Sequence, residues 1–333
     1  MAPNRRTAVA RAGTNIALVK YWGKRDVQLN LPRTGSLSLT LAGLETVTGV
    51  TVDPGLQHDH FELDGHIERG VPLGRVGRFL ALVRERAGVT GLFARVVSRN
   101  SFPTAAGLAS SASGFAALAR AASAAYGVDL TAEGLSALAR RGSGSAARSV
   151  FGGLVEMEAG VRPDGSDACA HQLVPPGGWP LRLVVAVTTE AAKDISSTIG
   201  MGATEQTSPL YEAWVASHAV DLEEARLAVA GQDLEVLGAV MERNCLGMHA
   251  CMMAARPPLL YWNEATVAAM REVWNLRARG IPVWFTIDAG PHVKTLCRPE
   301  EATAVKAALD AVPGVARTIA AAPGEGARLE SMG

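Results

Sequence analysis

The chain has 333 residues, 48% of them hydrophobic and 19% charged, which excludes a disordered polymer and suits two domains or one large one. Its 32 Lys and Arg residues offset 32 Asp and Glu residues, so the basic excess of a general nucleic-acid surface is missing. No apolar run reaches the roughly 20 residues of a membrane span, and the N-terminal MAPNRRTAVARAG lacks the apolar core of a secretory signal. A soluble, cytoplasmic protein with no nucleic-acid or membrane partner is expected. The four cysteines, Cys169, Cys245, Cys251 and Cys297, form no C-x-x-C pair and read as free thiols of a reducing compartment.

In chain order, residues 7–12 read as a strand that leads into GTNIALVKYWGK (13–24). There Ile16, Leu18 and Val19 stand among Asn15, Lys20, Tyr21 and Lys24. A lysine in such a run either has a partner or lies on a solvated edge. Half-buried strands follow at 37–41 (LSLTL) and 46–52 (TVTGVTV), then a hairpin around Asp64 and Gly65. Residues 74–86 form an amphipathic helix with Val76, Phe79, Leu80 and Val83 on one face. Of its arginines, Arg75 lies at the N-terminal end, within reach of an anion.

A strand at 93–97 leads to FPTAAGLASSASG (102–114). Gly107 lets a ligand approach the backbone closely. Ser110, Ser111 and Ser113 stand where a helix to about Tyr126 begins, with unpaired N–H groups and a positive dipole end. This composition reads as a phosphate cradle; the plainer reading is a capped helix with small packing residues. A helix at 132–140, capped by Thr131, precedes GSGSAARSVFGG (142–153). Its serines and Arg148 suit an anionic ligand, because the guanidinium is a planar fork that matches carboxylate or phosphate.

Residues 160–179 read as a loop and 181–188 as a buried strand, where a domain boundary is placed: domains 1–182 and 183–333. KDISST (193–198) is a polar cluster, followed by helices at 209–219, 222–230, 234–254 and 264–279, the last capped by Asn263 and stopped by Gly280. Cys245, His249 and Cys251 share a helix. They read as a buried soft face with Met248, Met252 and Met253 in preference to a metal site, and no metal ligand is assigned. A strand at 281–287 ends at Asp288, which is either a turn residue or a catalytic carboxylate. His292 opens a strand at 293–297, and a helix, a strand and a Gly-rich turn close the chain. The pattern is α+β. The P-loop, the dinucleotide-binding glycine motif and the G-x-S-x-G elbow are absent from the sequence.

Four segments resemble the diphosphomevalonate decarboxylase family of the GHMP kinase superfamily: NIALVKYWGKRD (15–26), NSFPTAAGLASSASGFAAL (100–118), RGSGSAARSVFGG (141–153) and IDAGP (287–291). KDISSTIGM (193–201) and RNCLGMHA (243–250) resemble it too, so the likeness spans nearly the whole chain. The resemblance implies a GHMP kinase-like two-domain fold, with an N-terminal domain like ribosomal protein S5 domain 2 and a ferredoxin-like C-terminal domain, and a homodimer. It implies conversion of ATP and (R)-5-diphosphomevalonate to isopentenyl diphosphate, carbon dioxide, ADP and phosphate, with Mg²⁺ accompanying ATP.

On the matching positions the resemblance makes Asp288 the catalytic carboxylate and Lys20 its partner. Arg148 would grip the substrate carboxylate and Ser111 the ATP phosphates. Tyr21, Trp22, Gly23, Lys24, Arg75, Ser143, Gly144, Ser145 and Thr198 would hold the diphosphate end. Ala106, Gly107, Leu108, Ala109, Ser110, Ser111 and Ser113 would hold ATP. The alternative is a GHMP-type kinase or decarboxylase acting on mevalonate or 5-phosphomevalonate. A non-catalytic binder on the same scaffold predicts loss of Lys20, Ser111, Arg148 or Asp288, and all four stand. Arg33, Thr34, Gly35 and Ser101 depart from common family versions, as does His292, which replaces the usual Asn beyond Asp288.

Overall fold

The computed structural model describes residues 6–102, 110–191 and 195–331. Strand β1 (Arg6–Val19) is followed by a short ribbon, β2 (Lys24–Asp26) with β3 (Leu31–Pro32), and by β4 (Ser36–Val52), which pairs antiparallel with β1. Hairpin β5 (His60–Leu63) and β6 (His66–Ile67) precedes α1 (Gly70–Arg86). Strand β7 (Ala94–Asn100) lies between β4 and β5. Helices α2 (Ser110–Tyr126), α3 (Ala132–Gly142) and α4 (Ala146–Ser149) come next, and β8 (Leu154–Met157) with β9 (Ala170–Val174) extends the sheet from β4.

A second sheet begins with β10 (Arg182–Val187). Helices α5 (Ser197–Thr207), α6 (Tyr211–Gly231), α7 (Leu234–Met253) and α8 (Glu264–Ala278) intervene before β11 (Val283–Ile287) and β12 (Val293–Cys297). After α9 (Ala302–Asp310), β13 (Arg317–Ala321) completes the order β11-β12-β10-β13. Strand β14 (Arg328–Leu329) then returns to the first sheet beside β1.

Side-chain alternation explains how the layers stack. Successive strand residues face opposite ways. Leu183, Val185 and Val187 on one face of β10 join Ile16, Leu18, Leu37 and Leu39 of the first sheet in one buried cluster with residues of α6 and α7. Val184 and Ala186, on the other face, pack with residues of α8 and α9. On the first sheet's outer face Ala10, Val50 and Val96 meet Phe79, Leu80 and the alanines of α2. Each fully buried Leu or Val contributes about 1.5–3 kcal/mol. The two sheets thus share an apolar layer, and the catalytic candidates lie at its rim.

Four elements differ from the sequence reading. The strands expected at 37–41 and 46–52 are halves of the continuous β4, which bends where pairing jumps from Gly13–Glu45 to Asn15–Thr40. The loop expected at 160–179 contains β9, whose polar His171 and Gln172 hide the strand pattern. The helices expected at 209–219 and 222–230 are the single α6. Asp221, between the two expected helices, is buried and paired with Arg243. Helix α5, read only as the end of a polar cluster, starts from a Ser196 cap. Among the described residues no helix is long and apolar enough to cross a membrane.

Candidate active site

The site begins where β1 ends. Lys20 follows Val19 and is 1% exposed, which excludes the solvated-edge reading. Its backbone N–H donates to Asn244 Oδ1 on α7 (2.8 Å). Its ammonium group donates to Ala17 O (2.9 Å) and to Asp288 Oδ1 (2.6 Å). Asp288 follows β11 and keeps 30% of its side chain exposed. Its other oxygen, Oδ2, lies 3.1 Å from Lys294 Nζ on β12. Burial pushes the Asp288 carboxyl up. The ammonium groups of Lys20 and Lys294 more than reverse this, holding it well below the usual carboxylate range. Burial pushes Lys294 down, opposed by Asp288.

Arg148, on α4, is 2% exposed. Its Nε and Nη2 donate to Asn15 Oδ1 (3.3 and 3.2 Å) and its Nη1 to Ser36 Oγ (2.6 Å). Asn15 is itself fixed by donating to Ser145 O and Ser149 Oγ. Among the described residues no carboxylate pairs with Arg148, and burial lowers its pKa to about 10. Five N–H bonds less the three used among the described residues leave two, one on each terminal nitrogen, to meet an anion.

The other candidates gather around Tyr21. Its hydroxyl is buried without a hydrogen-bond partner among the described residues, and burial raises its pKa. A Cβ on Gly144 would lie 2.3 Å from that hydroxyl, and one on Gly23 1.7 Å from the hydroxyl of Tyr211. Both positions therefore exclude a side chain, and Gly23 also has φ of 111°. Ser143 Oγ stands 3.2 Å from Ser145 Oγ and 3.5 Å from Ser111 Oγ, joining the two serine stretches. Lys24 Nζ donates to Asn30 Oδ1 (2.7 Å); burial and Arg75 lower its pKa. Arg75 is held by Gly142 O and the Phe115 ring.

Three candidates sit elsewhere than the sequence suggested. Ser113 is fully buried, its hydroxyl bonded to Thr46 Oγ1 (2.7 Å), so it anchors α2 to β4 and does not face a ligand. The Trp22 side chain packs with Met201, Tyr211 and Trp214. Thr198 is exposed in the first turn of α5. Ser110 and Ser111 open α2 as expected, whereas Ala106, Gly107, Leu108, Ala109 and Lys193 lie outside the described residues.

Cys245 and His249 serve the backbone. Cys245 Sγ accepts from Ile287 N (3.0 Å), and His249 Nε2 donates to Ile287 O (3.2 Å). Among the described residues no group of three His, Cys, Asp or Glu side chains is placed to hold a metal ion. His292 accepts from Thr188 N through Nδ1. Sequence reasoning missed Lys294, Asn15, Ser36 and Asn244 as parts of the site. A lysine in the middle of VKTLC was the available signal for Lys294, the same one that marked Lys20. The others are visible only as hydrogen-bond partners. It also missed a crevice of about 180 Å³ beside the start of α2, lined by Phe61, Leu63, Pro72, Arg75, Ser110 and Phe115 among others.

A lysine-bound carboxylate between a mixed and an antiparallel sheet, near serines at a helix start, belongs to the GHMP kinase-like class of folds. Residues 12–170 match the family profile of the diphosphomevalonate decarboxylase-like N-terminal domain, and 183–324 that of the mevalonate 5-diphosphate decarboxylase C-terminal domain. The chain belongs to the diphosphomevalonate decarboxylase family. It is 37% identical to the diphosphomevalonate decarboxylases of Schizosaccharomyces pombe, over 84% of this chain and 76% of that protein, and of Candida albicans, over 86% and 83%. A solved complex of MDDEF with MVAPP, AMPPCP and magnesium superposes with a TM-score of 0.92 at 42% identity, covering 98% of this chain and 99% of that one. The mevalonate diphosphate decarboxylase of Staphylococcus aureus gives 0.93 at 37%, covering 98% of each chain.

Proposed function

We propose that this protein catalyses the ATP-dependent decarboxylation of (R)-5-diphosphomevalonate to isopentenyl diphosphate, carbon dioxide, ADP and phosphate. The observation that carries the reading is Arg148, a buried guanidinium with two N–H groups to spare and no carboxylate partner among the described residues. A buried cation of this kind needs an anion, and the substrate carboxylate is one of matching shape.

The tertiary hydroxyl of the substrate is a poor leaving group until it is phosphorylated. Asp288, fixed on both oxygens, orients that hydroxyl. A carboxyl held this low is a poor store for a proton, so it receives the hydroxyl hydrogen only as the O–P bond forms, which a loose phosphoryl-transfer transition state permits. Lys20 meets charge on the transferring group with its remaining N–H. Departure of the phosphate leaves positive charge at the tertiary carbon. The C–C bond to the carboxylate then breaks, its electron pair forms the double bond, and carbon dioxide leaves.

Ser111 and the helix start hold the ATP phosphates, and the crevice beside α2 takes the base. Tyr21, Gly23, Lys24, Ser143, Gly144 and Ser145, with Arg75, hold the diphosphate. Magnesium, bound with the nucleotide, neutralises phosphate charge; it needs few protein oxygens, and the exposed Ser111 hydroxyl is one of the right kind. The protein works as a cytoplasmic homodimer, with lobes 1–182 and 183–333 around the cleft. ADP and carbon dioxide are measured together with diphosphomevalonate, 5-phosphomevalonate and mevalonate as parallel substrates. Equal amounts from the diphosphate are expected. ADP without carbon dioxide would mean a kinase, and turnover of another substrate alone would move the assignment.

A further inference from the structure

We propose that Lys294 is a positioning residue that acts as the standing counter-ion of Asp288, and so frees the ammonium group of Lys20 for the transferring phosphoryl group. This rests on the decarboxylase reading. Lys294 lies on an inner strand of its sheet, opposite Thr286 of β11 on one side and Val185 of β10 on the other. It is 1% exposed, so its side chain has no route to solvent. A charge in such a place is tolerated only when paired, and the pair is Asp288 Oδ2 at 3.1 Å. Lys20 takes the opposite oxygen.

A count of donors and charges separates the two lysines. The ammonium of Lys20 has three N–H bonds: Ala17 O takes one, Asp288 Oδ1 a second, and among the described residues the third remains. With both lysines protonated, two ammonium groups face one carboxylate and the cluster holds one positive charge beyond what Asp288 neutralises; burial opposes the charge on Lys294 and Asp288 favours it. An incoming phosphoryl group completes that balance. With Lys20 alone, its charge would be spent on Asp288 and the arriving anion would meet a neutral pair. The other groups around the carboxylate do not replace Lys294. Cys245 and His249 of α7 engage the Ile287 peptide. Arg148 of α4 acts on Asp288 only through space, and His292 is bonded to Thr188 N. Burial opposes ionisation of Asp288 and both lysines favour it, so removing one cation moves the carboxyl toward neutrality.

The test compares wild type with Lys294→Met, which keeps length and apolar volume, and Lys294→Gln, which keeps a donor without charge. ADP and carbon dioxide are followed from pH 4 to 9, with KM for both substrates and melting temperature. Both variants are expected to lose about tenfold or more in kcat at neutral pH. KM for both substrates stays within about threefold, and the acid limb of kcat set by Asp288, which the two lysines hold below the measured range in the wild type, rises into that range. A purely structural role would lower the melting temperature and leave the acid limb in place. An unmoved acid limb in either folded variant, or a wild-type kcat, overturns the proposal. A wild type that releases no carbon dioxide overturns the parent reading instead.

Discussion

Gly144 has no side chain because Tyr21 occupies the space that one would take. In Gly144→Ala the new methyl meets the Tyr21 hydroxyl at 2.3 Å, so the ring must move. The expected result is a raised KM for the diphosphate substrate with the ATP KM unchanged, and a stability loss of about 1–3 kcal/mol in thermal melts. Arg148→Lys keeps the charge and loses the fork. Charge-assisted hydrogen bonds are worth about 1.5–3 kcal/mol, so kcat/KM should fall roughly 10- to 100-fold while ATP still binds; steady-state kinetics and nucleotide titration check this. Lys20 and Arg148 stood out as charged residues where the pattern calls for an apolar or small one, whereas position alone left Asp288 either a turn residue or a catalytic one and only the resemblance chose. Asn15 and Ser36 were not, since nothing in a single sequence says which side chain a buried arginine will meet. Ser113 misled for a related reason: a serine at a helix start faces the ligand or the sheet according to which turn it occupies.

Helix α7 is the element that brings the two ends of the site together. Asn244 accepts from Lys20 N and donates to Asp221 Oδ2 (2.9 Å) and His218 Nδ1 (3.1 Å). His218 Nε2 in turn donates to Gly35 O (2.9 Å), next to the Ser36 that holds Arg148. On the same helix, Cys245 and His249 bond the backbone of Ile287, just before Asp288. The Met- and Cys-rich face was legible as a buried helix surface, except at Met253, which is exposed at the end of the helix. Its polar side was not, because those residues find partners far away in sequence. Asn244→Ala should cost about 1–3 kcal/mol for the buried groups left unpaired and lower kcat more than KM.

The buried histidines of α6 and α7 also set a pH dependence. His249 is lowered to about 3 and His218 is lowered as well, both chiefly by burial. The unfolded chain takes up these protons near the ordinary value of about 6.5, while the folded protein refuses them. The stability they contribute is therefore whole above that pH and falls as pH drops toward 3, by up to about 1.4 kcal/mol per unit for each histidine. Urea unfolding at pH 7.5 and 5.0 should show the decline, and His249→Gln should flatten it.

On the scale of the molecule, two sheets do not make two independent bodies. The apolar layer that contains Leu37 and Leu39 also contains Leu183 and Val185, and the Lys20–Asp288 pair ties the sheets at the cleft. Fluorescence and far-ultraviolet circular dichroism should report coincident urea transitions; two resolved transitions would contradict a shared core. The α+β class was legible from strand and helix periodicity. The sharing was not, because it depends on which face of β10 meets which sheet.

The last strand has a consequence for biosynthesis. Ala10 pairs with Leu329 and Arg11 with Arg328, and Arg11 is further held by Glu330. Translation runs at about 5–20 residues per second, so the outer edge of β1 waits roughly 15–60 s on the ribosome for its partner. An unpaired edge is a template for pairing with other chains. During that interval β1 is paired with β4 on one side only, and its edge at Ala10 and Arg11 is open to other chains.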